Sequence, residues 1–268
     1  ALRFDGFPLL FCNEITNKSR ILFDRDIQTR VEKIAPFLFL DGDMYQVIAD
    51  KQIWFMWDAY TYSCHFPYSE PFSAKDSNYL RNSVKTVINA YTGKVDFYVF
   101  DDKDPIIKAY SQIFPGMFKK ASEMPASLRI HVRYPEDMLS IQGNVIAKYH
   151  MTDPTMFYNR EDMWEAAKEV IDINESEPGP INPYYINMKL PGETKEEFLI
   201  MLPFTPLSTD KENPRNNMTG WLAGRCDGKH YGELLLYKFP KDSFVNGPRQ
   251  IGIRINQDDE ISGKLSLW

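Results

Sequence analysis

The chain lacks the short signatures that mark most enzyme classes. Its four histidines form no HExxH or HxH pair, its three cysteines form no CxxC, and its fourteen glycines carry no GxSxG, GxxxxGK[ST] or GxGxxG. A zinc protease helix, a redox pair, an α/β-hydrolase elbow, a phosphate loop and a dinucleotide fold of the standard kinds are therefore unsupported. Lys and Arg form no run and the net charge is −6, so no nucleic-acid partner and no electrostatic membrane adhesion is expected. The longest apolar runs, Ile34–Leu40 and Phe198–Phe204, are far shorter than the roughly 18–20 residues of a membrane span. No signal peptide opens the chain, which begins at Ala1 without methionine and ends at Trp268 on an apolar run; a domain cut from something longer is expected. Cys12, Cys64 and Cys226 are an odd set that leaves at least one thiol free, with one disulfide open and the compartment undecided.

What is present is an ordinary soluble composition over 268 residues, 43% apolar and 25% charged, with a high aromatic share of 14%. Length allows one large or two modest domains. Phe7–Cys12 reads as a buried strand. Ser19 reads as the cap of a helix ending before Pro36. Two hairpins follow, over 44–62 and 83–100, the second with a Thr92-Gly93 turn. They share Asp-Ala-Tyr-Thr at 58–61 and Asn-Ala-Tyr-Thr at 89–92, read as equivalent edges of one antiparallel sheet. Trp54, Phe55, Trp57 and Tyr60 are assigned to core packing.

From 104 to 170 the pattern is helical. Asp104-Pro105 and Asp153-Pro154 each pair a cap with proline at the first helical position, and Pro135 opens a helix between them. Met138, Ile141, Val145 and Tyr149 predict its apolar stripe, although Gly143 weakens it. Asn159 with Asp162 predicts a third helix through Val170. A linker over 174–183 separates residues 1–172 from a mainly antiparallel β part, 183–268. That part holds hairpins at 184–202 and 221–239 and a last strand at Ile251–Ile255. One continuous domain is the alternative. The fold class is α+β, with antiparallel hairpins at both ends and a helical segment between.

The richest polar stretch runs from His131 to Trp164. One reading is catalytic: His131 or His150 as base, with Glu136, Asp137 or Glu161 as orienting carboxylate and Arg133 or Arg160 on an anion, beside Tyr149. The simpler reading places Glu136, Asp137, Glu161 and Asp162 in first helical turns and His150, partly cationic, in a last turn. His131, Arg133, Tyr149, His150 and Arg160 remain as the residues that capping does not explain. Calcium could be held by the hard oxygens of Asp41 and Asp43, although no twelve-residue calcium loop is present. No other cofactor is implied. Cys226 and His230 lie close in sequence, but nothing nearby completes a zinc site.

Several blocks occur together: NSVKTVINAYTGKVDFYVFDDKDPII, HVRYPEDM, YHMTDPTMFYNREDMW, PYYINMKLPGE, EEFLIMLPFTP and NMTGWLAGRCDGKHYGELLLYKFP. Through them the whole chain resembles uncharacterised protein family 0182, large prokaryotic membrane proteins. The resemblance implies the central soluble part of a longer polypeptide, tethered by spanning helices that lie elsewhere in it. The expected side is extracytoplasmic, at the cell membrane, with a protein partner or self-association in the envelope. It brings no reaction, cofactor or catalytic residue. Cys64-His65 stands where the family is expected to carry a Ser-Asp-Arg-like stretch, which argues against shared cysteine chemistry. The expectation is a sensing, scaffolding or interaction domain. The alternatives are a hydrolase of an envelope polymer or peptide, and a calcium-stabilised binding module.

Overall fold

Hairpins build both sheets, and a helix fills the seam between them. The computed structural model describes residues 16–19, 24–72, 77–168, 179–208 and 215–265. The strand expected at Phe7–Cys12 lies outside them. The first described helix, α1, is Ile27–Ile34. Its cap is Asp26, not Ser19, because the Asp26 carboxylate accepts the Thr29 N–H at 2.7 Å.

The first sheet contains β1 (Phe39–Leu40), β2 (Tyr45–Ala49), β3 (Gln52–Ser63), β4 (Tyr79–Asn89), β5 (Val95–Val99) and β6 (Phe118–Lys120). Its order is β1-β3-β4-β5-β6, with β2 also on β3. Asp50 and Lys51 turn β2 into β3 with φ of 51° and 62°, the left-handed pair that a tight hairpin needs. The two Ala-Tyr-Thr motifs are not equivalent edges. The first lies within β3, the second at the turn that ends β4, and Trp54 rather than Asp58 pairs with Asn89. Helix α2 (Pro105–Ile113) carries the chain from β5 to the parallel strand β6. Its cap, Asp104, is fully buried and also accepts from Thr61 and Ser83. Val31 of α1, Ile107 of α2, Trp57, Val84 and Phe97 pack on one face of the sheet. Val47, Met56, Val87 and Tyr98 pack on the other, against the short helix α3 (Ala126–Arg129).

Helix α4 (Glu136–Tyr149) and the short α5 (Pro154–Asn159) follow. The third helix expected through Val170 does not form over the described residues 161–168. Arg160 closes α5 in the left-handed conformation at φ 57°, and β7 (Trp164–Ala166) pairs with the second sheet. Tertiary pairing overrides a weak capping signal there. Residues 169–178, with the first half of the expected linker, lie outside the described ones.

The second sheet has the order β11-β10-β9-β7, with β8 also on β9. Its strands are β7, β8 (Tyr184–Lys189), β9 (Glu196–Pro206), β10 (Gly220–Arg225) and β11 (Leu234–Lys238). The strand expected at Ile251–Ile255 is helical. Pro248 opens α6 (Pro248–Gln257), and Ile251 and Ile255 fall four apart; α7 (Asp259–Leu265) follows.

Helix α4 lies on β7 and β9. The stripe that meets the core is Met138, Leu139, Gly143 and Ala147; Val145 and Tyr149 of the expected stripe are exposed. Gly143 explains the rotation. A Cβ there would stand 2.4 Å from Leu202 Cδ2, so the absent side chain lets helix and sheet approach. The same core takes in Tyr60 of the first sheet with Ile200, Phe204 and Leu222 of the second.

Candidate functional site

The candidate residues gather at the two ends of α4. Fourteen residues at about 1.5 Å each separate the ends by roughly 20 Å. Asp41, Asp43, Arg133, Glu136 and Asp137 meet at the N-terminal end. Tyr149, His150 and Arg160 lie at the C-terminal end. His131 belongs to neither set through its ring; its backbone carbonyl accepts the Tyr45 hydroxyl at 3.0 Å.

The N-terminal end is capped across the fold. Pro135 sits at the cap position and offers no side-chain acceptor. Asp41, from the turn between β1 and β2, supplies one. Its Oδ2 accepts the Asp137 N–H at 3.2 Å and the Tyr60 hydroxyl, and its Oδ1 accepts the Asp43 N–H at 2.9 Å. Asp137 reciprocates by accepting the Gly42 N–H at 2.7 Å. Two carboxylates 96 positions apart thus do what a local capping box does. The helix dipole favours their charge. Asp41 is nevertheless 2% exposed, and burial outweighs its hydrogen bonds and pushes its carboxyl up to about 6.

Arg133 lies beside this cap. Its guanidinium pairs with Asp43 and is held between two rings, 3.7 Å from the Tyr45 centroid and 4.3 Å from that of Tyr185. Its Nε is buried without a partner. Glu136 faces the same pair. Burial, then the Asp43 carboxylate, raise it to about 7 against the opposing pull of Arg133.

Three backbone carbonyls before the helix are taken by both sheets. Besides Tyr45 on His131, Lys85 of β4 reaches the Arg133 carbonyl at 3.4 Å, and Tyr185 of β8 reaches that of Tyr134 at 2.8 Å. Lys85 is 1% exposed and pairs with Asp58 directly across β3 and β4. Burial raises Asp58 although Lys85 opposes it. The ammonium also lies 5.4 Å from the Tyr231 ring. Cys226 accepts the Tyr134 N–H at 3.3 Å, and burial moves its thiol up to about 11, so it is a packed acceptor rather than a nucleophile. Cys64 is exposed, and neither it nor Cys226 forms a disulfide; Cys12 lies outside the described residues.

Asp58, Lys85, Tyr45 and Tyr185 were not singled out from sequence. The available signal was a lone charge in each of two otherwise apolar strands, Asp58 in IWFMWDAY and Lys85 in SVKTVINA. Among the described residues no group of three or more His, Cys, Asp or Glu side chains is placed to hold a metal ion. Asp41 and Asp43 spend their oxygens on the cap and on Arg133.

At the other end His150 closes α4. Its ring stacks on Trp164 with centroids 3.6 Å apart, and its Nδ1 lies 3.1 Å from the Ile146 carbonyl. Burial lowers its pKa and Lys238 adds to that, which corrects the expectation of a partly cationic last-turn histidine. Nε2 is buried without a partner. Glu161 and Asp162 are not in a first turn. They sit in the turn after α5, where Glu161 accepts from Asn159 and Asp162 pairs with Lys241.

Beyond His150 the surface opens. A cleft of about 710 Å³ runs between the β3–β4 loop at Tyr68–Phe72 and α4. A second, of about 490 Å³, continues from it past Tyr158 and Arg160. Glu70, Lys148, Tyr149 and Met163 line both, so the two form one trough. Tyr68 and Tyr158 are 109% and 87% exposed. Tyr68 is held out by a left-handed backbone, φ 58°. His150 is not within this trough, so no histidine, carboxylate and arginine converge in it.

No helix among the described residues is long and apolar enough to cross a membrane. No solved structure matches the chain. Several bacterial proteins that carry the name of one family are similar to it. That from Pelotomaculum thermopropionicum is 50% identical over 268 residues, covering 100% of this chain and 28% of the relative. The Geobacter sulfurreducens relative is 48% identical over 270 residues, with the same shares. The Microcystis aeruginosa relative is 50% identical over 275 residues, 27% of its length. The chain therefore spans little more than a quarter of the curated relatives it matches, and corresponds to one part of a larger protein. The family model for the uncharacterised protein family UPF0182 matches residues 1–268, and the chain belongs to that family.

Proposed function

We propose that this chain is an extracytoplasmic interaction domain of a multi-spanning membrane protein, with sensing or scaffolding as its task and no reaction of its own. The observation that carries the reading is the trough at the C-terminal end of α4. Its tyrosines stand in the open on fixed backbone, and it holds no converging acid, base and anion-binding set. Aromatic rings left exposed in this way suit recognition. Membrane attachment would come from other parts of the parent protein, and the binding partner from the envelope. The test uses exposed Cys64 in the full-length protein. A membrane-impermeant maleimide should label it in intact cells and fail to label Cys64→Ser at that position. Labelling only after lysis would overturn the assignment of side.

One observation favours a second, hydrolytic reading. Glu136, at about 7, holds a proton near neutral pH beside Asp41, at about 6, as an acid–base carboxylate must. Against it, Asp41 is buried with both oxygens engaged. Glu136→Gln separates the readings: a hydrolase would fold and lose turnover, whereas a structural carboxyl changes stability alone.

A further inference from the structure

We propose that the trough between Tyr68 and Arg160 binds an acidic polysaccharide, with tyrosine faces under the sugar rings and the Arg160 guanidinium on a uronate carboxylate. This rests on the interaction-domain reading and names its ligand.

The chemistry of the lining selects the class. An aromatic face is electron-rich, and the C–H groups on one face of a pyranose are electron-poor, so rings that stand free provide stacking platforms. Tyr68, Tyr149 and Tyr158 are 109%, 60% and 87% exposed, spread along one open trough rather than gathered in one pocket. Phe157 packs beside Tyr149, with centroids 5.4 Å apart, and fixes that platform. Linear spacing of platforms fits a polymer better than a small ligand.

Charge selects the acidic kind. The chain carries −6, yet the trough lining holds three basic and two acidic residues. Lys148 is paired with Glu70 at 2.7 Å and Lys168 with Glu165 at 3.3 Å. Those pairs leave donors and acceptors for hydroxyls but no net charge. Arg160 has no ion pair among the described residues, follows the Tyr158 platform by two residues and lines the same stretch of the trough. Its left-handed backbone fixes where the side chain leaves α5. A guanidinium offers two parallel N–H bonds to a carboxylate, which suits a uronate. A polyphosphate would need a run of cations that the trough lacks. An acidic peptide would match Arg160 but would have no pyranose C–H faces for the tyrosines.

The test is calorimetric titration of the 268-residue chain with three probes: a galacturonate hexamer, maltohexaose and a glutamate hexapeptide. The galacturonate hexamer should bind, at least tenfold more tightly than either of the others, and more weakly as salt rises. Tyr158→Ala and Arg160→Asn should each weaken it about tenfold; both positions are exposed, and asparagine tolerates the left-handed conformation at 160. Equal binding of maltohexaose would overturn the acidic assignment, and equal binding of the peptide would overturn the polysaccharide. No galacturonate binding, or binding unchanged in both variants, would overturn the site. Cys64 labelling reads the membrane side independently, so an extracytoplasmic Cys64 without uronate binding rejects this ligand alone.

Discussion

The two ends of α4 carry similar residue types and use them in opposite ways. At the N-terminal end, carboxylates, an arginine, a lysine and tyrosines are drawn inward, and each finds a partner from another element. At the C-terminal end, tyrosines, a lysine and an arginine face outward around an open trough. The first arrangement fixes how the two sheets meet; the second leaves side chains free to meet something else. Polar density in a sequence is thus no guide to a ligand site. What separates the two is whether the fold consumes the hydrogen-bonding capacity.

The comparison can be broken most directly at Lys85. Lys85→Met leaves the Asp58 carboxylate buried without its cation and should cost about 3–5 kcal/mol in urea unfolding. Asp58→Leu with Lys85→Met should recover most of it. If Lys85→Met is neutral, the seam is not held as described. Next is the docking of α4. Gly143→Ala forces a Cβ against Leu202 and should cost about 1–3 kcal/mol by the same measurement.

Titration gives the two ends opposite signs. Glu136, raised from 4.5 to about 7, and Asp41, raised from 3.8 to about 6, keep protons that the unfolded chain has released. Stability should therefore fall as pH rises from about 4 to about 7. His150, lowered from 6.5, refuses a proton that the unfolded chain takes up, so its contribution is lost as pH falls below 6.5. Urea midpoints against pH should lose the part of the first limb above about 6 in Glu136→Gln, with the Asp41 part below it retained, and the second limb in His150→Phe. An upper first limb unchanged in Glu136→Gln, or a second limb unchanged in His150→Phe, refutes that assignment.

The smallest effect is expected at Arg160. Its left-handed backbone costs a side-chain-bearing residue about 1 kcal/mol, so Arg160→Gly should raise the melting temperature by about 2–4 °C. The N-terminal pH limb should not move.

Both long hairpins, the Asp104 and Asp153 caps and the β8–β9 and β10–β11 pairs were legible because each signal is local: a turn, an alternation, or an aspartate before a proline. The misreadings share one cause. Trp164–Ala166 carries a helix-like neighbourhood but finds β9, and Val145 and Tyr149 keep a helical spacing but lose the core to Gly143 and Ala147. The candidate site was half legible. The concentration of charge around α4 was visible, and so were Asp41 and Asp43, but their meeting with Arg133 and Asp137 was not.

By itself, then, the sequence determined the α+β class, the family and most elements, since those follow from patterns legible along the chain. Tertiary structure decided which charges are consumed and which are offered. Asp41 reaches Asp137 across 96 positions, and Lys85 meets Asp58 only when β3 and β4 pair. Whether a tyrosine is core or platform depends on what packs over it. Those are long-range facts of burial, which no local pattern encodes.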